Sequence, residues 1–67
     1  MKKQELKGQI RAKGFTQKSF SEALGISPAS LSRKLAGTHD FTVGEIRRMK
    51  ELLELDTDEA VTLFFES

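Results

Sequence analysis

A helix-start pattern recurs three times in this chain of 67 residues. In each instance an apolar residue precedes a serine or threonine, and a second apolar residue follows four positions later, forming a hydrophobic staple around a helix cap. The three instances are Phe15-Thr16-Phe20, Ile26-Ser27-Leu31 and Phe41-Thr42-Ile46. Glu45 completes a capping box with Thr42, and Pro28 suits the first helical position after Ser27. The pattern therefore predicts where three helices begin.

Apolar residues spaced three and four apart extend these starts and add one helix at each end of the chain. Helices are predicted over about 3–13, 17–24, 28–36 and 43–53, and from about residue 56 or 57 onward. Gly14 and Gly37 are expected to end the first and third helices. No segment alternates with a period of two, so no strand is expected. The predicted fold class is all-α, a compact five-helix single domain spanning residues 1–67.

A domain of this size buries only roughly 60% of the surface that its unfolded chain exposes, so its stability depends on efficient helix packing. The apolar positions of the five helices define the expected core. They are Leu6, Ile10, Phe20, Ala23, Leu24, Leu31, Leu35, Ile46, Met49, Leu53, Val61, Phe64 and Phe65, with Leu52 flanking.

The composition argues against several classes of protein. There is no cysteine, and the single histidine, His39, cannot form a metal site alone, so we expect no disulfide, metal or cofactor. Only Asp40 lies beside His39 as an acid, and the glycines form no phosphate-binding pattern, so no enzymatic activity is expected. The N-terminus lacks the apolar run of a signal peptide, and residues 63–65 are too few to span a bilayer. We expect a cytoplasmic protein without a membrane partner.

The net charge of +1 conceals an asymmetry between the two parts of the chain. Residues 1–37 carry eight cations against two acids, a net charge of +6, whereas residues 38–67 carry three cations against eight acids, a net charge of −5. Such opposed halves suggest a basic surface for a polyanion. Charges that merely solvate helix faces explain the same pattern equally well, so both interpretations remain open.

The third predicted helix has a narrow outer face. Leu31 and Leu35 mark its buried side, and the helical repeat places Arg33 opposite them among alanines and serines. Such a face is slim enough for a DNA major groove about 12 Å wide. Arg33 can donate to guanine O6 and N7, Ala29 can contact a thymine methyl group, and Ser32 can donate or accept. A phosphate contact or a solvated charge remains the alternative for Arg33.

Candidate phosphate contacts flank this helix in the sequence. Phosphate oxygens are bound by cations, by polar side chains and by the amides of helix N-termini. The candidates are Gln17, Lys18, Ser27, Lys34, Thr38 and His39. Capping alone also explains Ser27, whereas Gln17 has no role in the local helix pattern.

These residues resemble the helix-turn-helix of the lambda-repressor-like (XRE, Cro/CI) family. The resemblance lies in Thr16-Gln17, Phe20, Leu24-Gly25-Ile26-Ser27 and Leu31-Ser32-Arg33-Lys34-Leu35-Ala36-Gly37. It extends to the five-helix plan, and residues 61–65 are similar to the ending of small phage and prophage regulators.

This resemblance implies a sequence-specific DNA-binding transcriptional regulator with its helix-turn-helix at about residues 17–36. It implies that Gln17 binds phosphate and that Pro28, Ala29 and Arg33 reach bases. Pro28 stands where relatives often carry a glutamine, so it can offer only van der Waals contact, and readout depends more on Arg33 and DNA shape. Ser21 stands where many members carry alanine, and its hydroxyl needs a backbone partner.

One small module reads few base pairs, so we expect a homodimer on a pseudo-palindromic operator, weak in the absence of DNA. Its interface is expected on the fourth and fifth helices, where the candidate exposed apolar residues are Leu52, Leu55, Leu63 and Phe65. The alternative is that all four complete the core of the domain. A second function class also remains: a protein-binding regulator, such as an anti-repressor or antitoxin-like module, that uses the same helices.

Overall fold

The computed structural model describes residues 1–65 and contains five α-helices over that range. They are α1 (Lys3–Ala12), α2 (Gln17–Leu24), α3 (Pro28–Ala36), α4 (Val43–Leu52) and α5 (Thr57–Phe65). Residues 1–65 form no strand, so the all-α prediction is confirmed for them. Helices α1 and α4 each end one residue before the predicted position. Within the same range, no helix has the length and apolar character needed to cross a bilayer.

The predicted caps of α3 and α4 are both present. The Thr42 hydroxyl accepts a hydrogen bond from the Glu45 N–H at 3.1 Å, and the Glu45 carboxylate accepts one from the Thr42 N–H at 2.8 Å. The Ser27 hydroxyl accepts from the Ser30 N–H at 3.0 Å, with Pro28 at the start of the helix. A serine or threonine cap contributes about 1 kcal/mol to stability, so these residues hold both helix starts in place.

Two further capping boxes were not predicted. Thr16 and Ser19 exchange hydrogen bonds of 2.9 and 3.0 Å between hydroxyls and backbone N–H groups at the start of α2. Asp56, just before α5, and Glu59, in its first turn, form the second box. The carboxylate of each residue accepts a hydrogen bond from the backbone N–H of the other. The third residue of a capping box is usually Glu or Gln. The box at the start of α2 has Ser19 in this position, so the sequence pattern did not identify it.

The turn between α2 and α3 depends on a left-handed glycine. Gly25 has a φ of 78°, a region that side chains disfavour, and its N–H donates to the Glu22 carbonyl. The Ile26 N–H donates to the Ser21 carbonyl at 3.0 Å, so the chain reverses directly after α2. Only three residues, 25–27, separate the two helices.

One core holds the helices together. Helix α2 packs against α3 and α4, while α1 packs against α3 and α5. The buried apolar side chains are Leu6, Ile10, Phe20, Leu31, Leu35, Met49, Leu53, Leu55, Ala60, Leu63 and Phe64. Ser21 is also fully buried, and its hydroxyl donates to the Lys18 carbonyl at 2.7 Å, the backbone partner that the sequence analysis required.

The prediction for the C-terminal apolar residues needs correction. Val61 and Phe65 were expected in the core, yet their exposed fractions are 44% and 68%. The exposure of Phe65 agrees with its other predicted place among the exposed apolar residues of the fourth and fifth helices. Leu55 and Leu63 were candidates for an exposed interface, but both are buried, which agrees with the alternative that they complete the core. The α5 repeat turns Ala60, Leu63 and Phe64 toward the core, which leaves Val61 and Phe65 on the outer side. Leu52 is partly buried.

Candidate nucleic-acid interface

The outer face of α3 is exposed and narrow. Leu31 and Leu35 face the core, and the four residues proposed for base contact all lie on the exposed side. These are Pro28, Ala29, Ser32 and Arg33. Among residues 1–65 the Arg33 guanidinium has no hydrogen-bond or ion-pair partner. This side chain is therefore free to bind a ligand without breaking a contact.

The start of α2 presents polar side chains beside backbone N–H groups. Gln17 and Lys18 are exposed, and neither side chain contacts a partner within the described part of the chain. Thr16 and Ser19 use their hydroxyls for the capping box. The helix dipole and the two free side chains make this end of α2 favourable for an anion.

A cleft beside the start of α2 contains two cations that the sequence analysis did not select. It has a volume of about 320 Å³, and Lys7 and Arg11 of α1 line it together with Gln17. Residues four apart share one face of a helix, so Lys7 and Arg11 lie next to each other. Their spacing around the buried Ile10 is the sequence signal that could have identified them. The cleft therefore joins α1 to the positively charged start of α2.

The ammonium group of Lys34 is not free. Its Nζ lies 2.5 and 2.7 Å from the two carboxylate oxygens of Glu45, and only 12% and 14% of the two side chains are exposed. The same nitrogen lies 5.8 Å from the centroid of the Phe41 ring. The phosphate contact of Lys34 stays a prediction, but a phosphate would have to compete with Glu45 for this partly buried ammonium group.

The Lys34–Glu45 pair keeps its carboxylate ionised. Burial alone would raise the pKa of Glu45, but hydrogen bonds from Lys34 and from the Thr42 N–H, together with the Lys34 charge, hold this pKa below its ordinary value. Glu45 thus caps α4 and binds α3 at the same time. The pair connects the last turn of α3 to the first turn of α4.

Thr38 and His39 follow α3 and are exposed. The Thr38 hydroxyl donates to the Arg33 carbonyl at 3.0 Å, and His39 Nδ1 lies 3.3 Å from the same hydroxyl. Thr38 therefore caps the carboxyl end of α3, while His39 presents its ring to solvent.

The distribution of paired and unpaired cations is uneven. Lys13 lies 3.5 Å from Glu54 and Arg48 lies 3.5 Å from Glu51, both as exposed pairs. In contrast, no acid within residues 1–65 pairs with the cations at the interface. These are Lys7, Arg11, Lys18 and Arg33. Each of the first three helices thus carries unpaired positive charge, and Arg47 of α4 is likewise without an ion-pair partner among residues 1–65.

Residues 1–65 thus form a small five-helix protein. Its first three helices each carry cations without an ion-pair partner in this range. A family model described as a protein of unknown function, DUF739, matches residues 2–67, and the chain belongs to this family. No curated protein and no solved structure matches the chain. Function must therefore be inferred from the side chains themselves.

Proposed function

We propose that this protein is a sequence-specific, double-stranded DNA-binding transcriptional regulator of the Cro/CI kind. Helices α2 and α3 form its helix-turn-helix, and α3 enters the major groove. The observation that carries the proposal is the outer face of α3, where short exposed side chains surround the unpaired Arg33. A long side chain on this face would hold the helix away from the base edges, whereas Ala29 and Ala36 allow close approach.

The base contacts follow from the chemistry of each exposed side chain. Arg33 donates two hydrogen bonds to guanine O6 and N7 and supplies most of the sequence preference. Ala29 contacts a thymine methyl group, Ser32 forms a less selective hydrogen bond, and Pro28 contributes van der Waals contact alone.

The phosphate contacts position α3 without reading sequence. Gln17 and Lys18 bind a phosphate at the start of α2, and Lys7 and Arg11 extend this contact along the neighbouring cleft. Weaker polar contacts come from Ser27, Thr38 and His39. Lys34 is the weakest candidate of the set, because Glu45 holds its ammonium group.

In this proposal the protein controls transcription by occupying its operator. A homodimer places two α3 helices in successive major grooves, about one helical turn apart, on a pseudo-palindromic operator. Bound over a promoter, it competes with the transcription machinery for the same DNA. Repression by exclusion needs no catalytic group and no cofactor.

The alternative function, a protein-binding regulator that uses the same helices, fits the α3 face less well. Helices that bind protein grooves present rows of large apolar anchors. Among residues 1–65 the exposed large hydrophobic side chains are Val43, Val61 and Phe65, and none of them lies on α3. The face of α3 therefore favours a nucleic acid over a protein groove.

Selection of bound duplexes from a random DNA pool tests this proposal. We expect enrichment of paired half-sites whose centres lie about one helical turn apart. An Arg33→Ala, Lys18→Ala double variant of the chain serves as the control and should bind the pool more weakly and lose the base preference that Arg33 supplies. If the wild-type chain enriches nothing, the DNA-binding proposal fails and the protein-binding alternative takes its place.

A further inference from the structure

A groove between α1 and α5, the α1–α5 groove, has a volume of about 520 Å³. Each of the two helices contributes one wall, and buried leucines lie beneath them. The residues that define it are Glu5 and Gly8 from α1, Asp58 and Glu59 from α5, and Leu55 and Leu63 from the core. An apolar floor with a charged rim is typical of a surface that binds another protein.

The three carboxylates at the rim carry unpaired negative charge. Glu5, Asp58 and Glu59 are exposed, and none of them has an ion-pair partner within residues 1–65. No lysine or arginine of the same range lines the groove. Three like charges around one concave surface attract a positively charged partner and repel an acidic one.

Two other grooves on the described residues have the opposite charge. The α4–α5 groove is lined by the exposed Val43, Val61 and Phe65. Its walls also include Arg47 and Lys50. The cleft between α1 and the start of α2 contains two cations as well. Of these three surfaces, the α1–α5 groove is therefore the one that complements a basic partner.

The packing of α1 does not require the glycine in the wall of this groove. Gly8 lies within the helix, where glycine is less favourable than alanine, and a Cβ there would meet nothing within 4 Å. The missing side chain leaves open space beside the backbone of α1, which a ligand can approach closely. Gly8 thus widens the groove at a cost to helix stability.

The α1–α5 groove and the proposed DNA-binding side lie on opposite sides of α1. Glu5 precedes Lys7 by two residues, a separation of about 200° around the helix. The same separation holds between Gln9, which lines the groove, and Arg11, which lines the cleft beside α2. An occupant of the groove therefore leaves the cations of α1 uncovered.

We propose that the α1–α5 groove binds a basic amphipathic helix of a different protein. Lysine or arginine side chains of the partner pair with the three carboxylates of the rim, and its apolar side chains lie over Leu55 and Leu63. The site itself does not depend on the DNA-binding proposal. In a DNA-bound chain it brings the partner to the operator, a consequence that rests on the proposed function.

Titration of the full chain with a panel of synthetic peptides, without DNA, tests this site. The peptides form about three helical turns, with lysines on the polar side and two leucines three, four or seven residues apart on the other. Calorimetry measures the affinity, and amide chemical shifts locate the site. At least one peptide should shift Gly8 and residues 58–63 and lose affinity as salt is raised. The same panel with glutamate in place of lysine should not bind there.

Two substitutions separate this site from a general effect on the fold. Glu5→Lys should weaken peptide binding by at least about threefold, because it reverses one charge of the rim. Gly8→Gln should also weaken it, since a long side chain fills the open wall, although glutamine stabilises a helix relative to glycine. Higher thermal stability combined with weaker binding is not explained by damage to the fold.

Glu51→Lys is the matched control, because it makes the same change of charge at an exposed residue of α4 outside the groove. It should leave the peptide affinity unchanged. The inference is overturned if no peptide of the panel binds, or if Glu5→Lys and Glu51→Lys weaken binding equally. Shifts at Gly8 that grow with protein concentration alone would assign the groove to a second copy and overturn it too. So would spermidine, a cation without apolar side chains, if it bound as tightly as the best peptide.

Discussion

Two adjacent cations on α3, Arg33 and Lys34, have opposite environments. Arg33 lies on the outer face without a partner among residues 1–65, whereas Lys34 is largely buried against Glu45 and near the Phe41 ring. Consecutive residues on a helix differ by about 100° in direction, which is enough to separate the proposed base-contacting side chain of Arg33 from the structural side chain of Lys34. Residue type alone therefore does not identify the interface.

Lys18→Ala tests the phosphate role of the exposed cation at the start of α2. Binding to every DNA sequence should weaken to a similar extent, and the negative slope of log affinity against log salt should become shallower by about one unit per half-site. Titrations at several salt concentrations measure both quantities. Lys13→Ala is the control, because Lys13 is paired with Glu54. An unchanged slope in Lys18→Ala would remove this residue from the interface.

At the scale of the helices, the caps and the long-range contacts differ in how well they could be predicted. The starts of α3 and α4 follow from patterns of a few adjacent residues, and their predicted caps are present. The Lys34–Glu45 pair joins residues eleven apart, and the burial of Leu55 and Leu63 depends on how α5 packs. Such contacts require the orientation of whole helices, which local spacing does not contain.

Substitution of Gly37 and of Gly8 by alanine should change the unfolding free energy in opposite directions. Gly37 ends α3 with a φ of 93°, a left-handed conformation that a Cβ disfavours, so Gly37→Ala should lower the unfolding free energy by about 1 kcal/mol or more. Gly8 lies within α1, and a Cβ there meets nothing within 4 Å. Gly8→Ala should raise the unfolding free energy by up to about 1 kcal/mol. Urea denaturation measures both, and equal effects would contradict this explanation.

The Lys34–Glu45 pair should make stability depend on acid pH. The folded-state pKa of Glu45 is lowered, so its contribution is fully present above the unfolded value near 4.5 and is lost as the pH falls through the folded value. Glu45→Gln should reduce the unfolding free energy at pH 7 by about 2 kcal/mol. The difference from wild type should shrink on acidification.

Glu51→Gln on the same helix is the control, since its carboxylate is exposed and lies 3.5 Å from Arg48. Denaturant titrations from pH 7 to about pH 3 compare the two variants. A Glu45→Gln deficit that stays constant across this range would show that the charge of the pair does not stabilise the fold.

At the scale of the whole molecule, the proposed DNA-binding side and the exposed large hydrophobic residues of the described range lie on different helices. The unpaired cations of α1, α2 and α3 make up the proposed DNA-binding side, and the exposed apolar residues lie between α4 and α5. The sequence predicted the charge asymmetry and the α3 face. It also predicted exposed apolar residues on the fourth and fifth helices, of which Phe65 is exposed. It did not predict the Lys7–Arg11 cleft or the place of Val43 and Val61 in the α4–α5 groove, because each depends on the relative position of whole helices.

The most direct test of the account is the base preference of Arg33→Ala, measured at every position of the enriched half-site. Binding to the preferred sequence should weaken by about 1 to 3 kcal/mol, and the preference should relax at one base pair per half-site while the others stay selective. Equal weakening on all sequences would show that Arg33 contacts phosphate, and the proposed readout by α3 would be wrong.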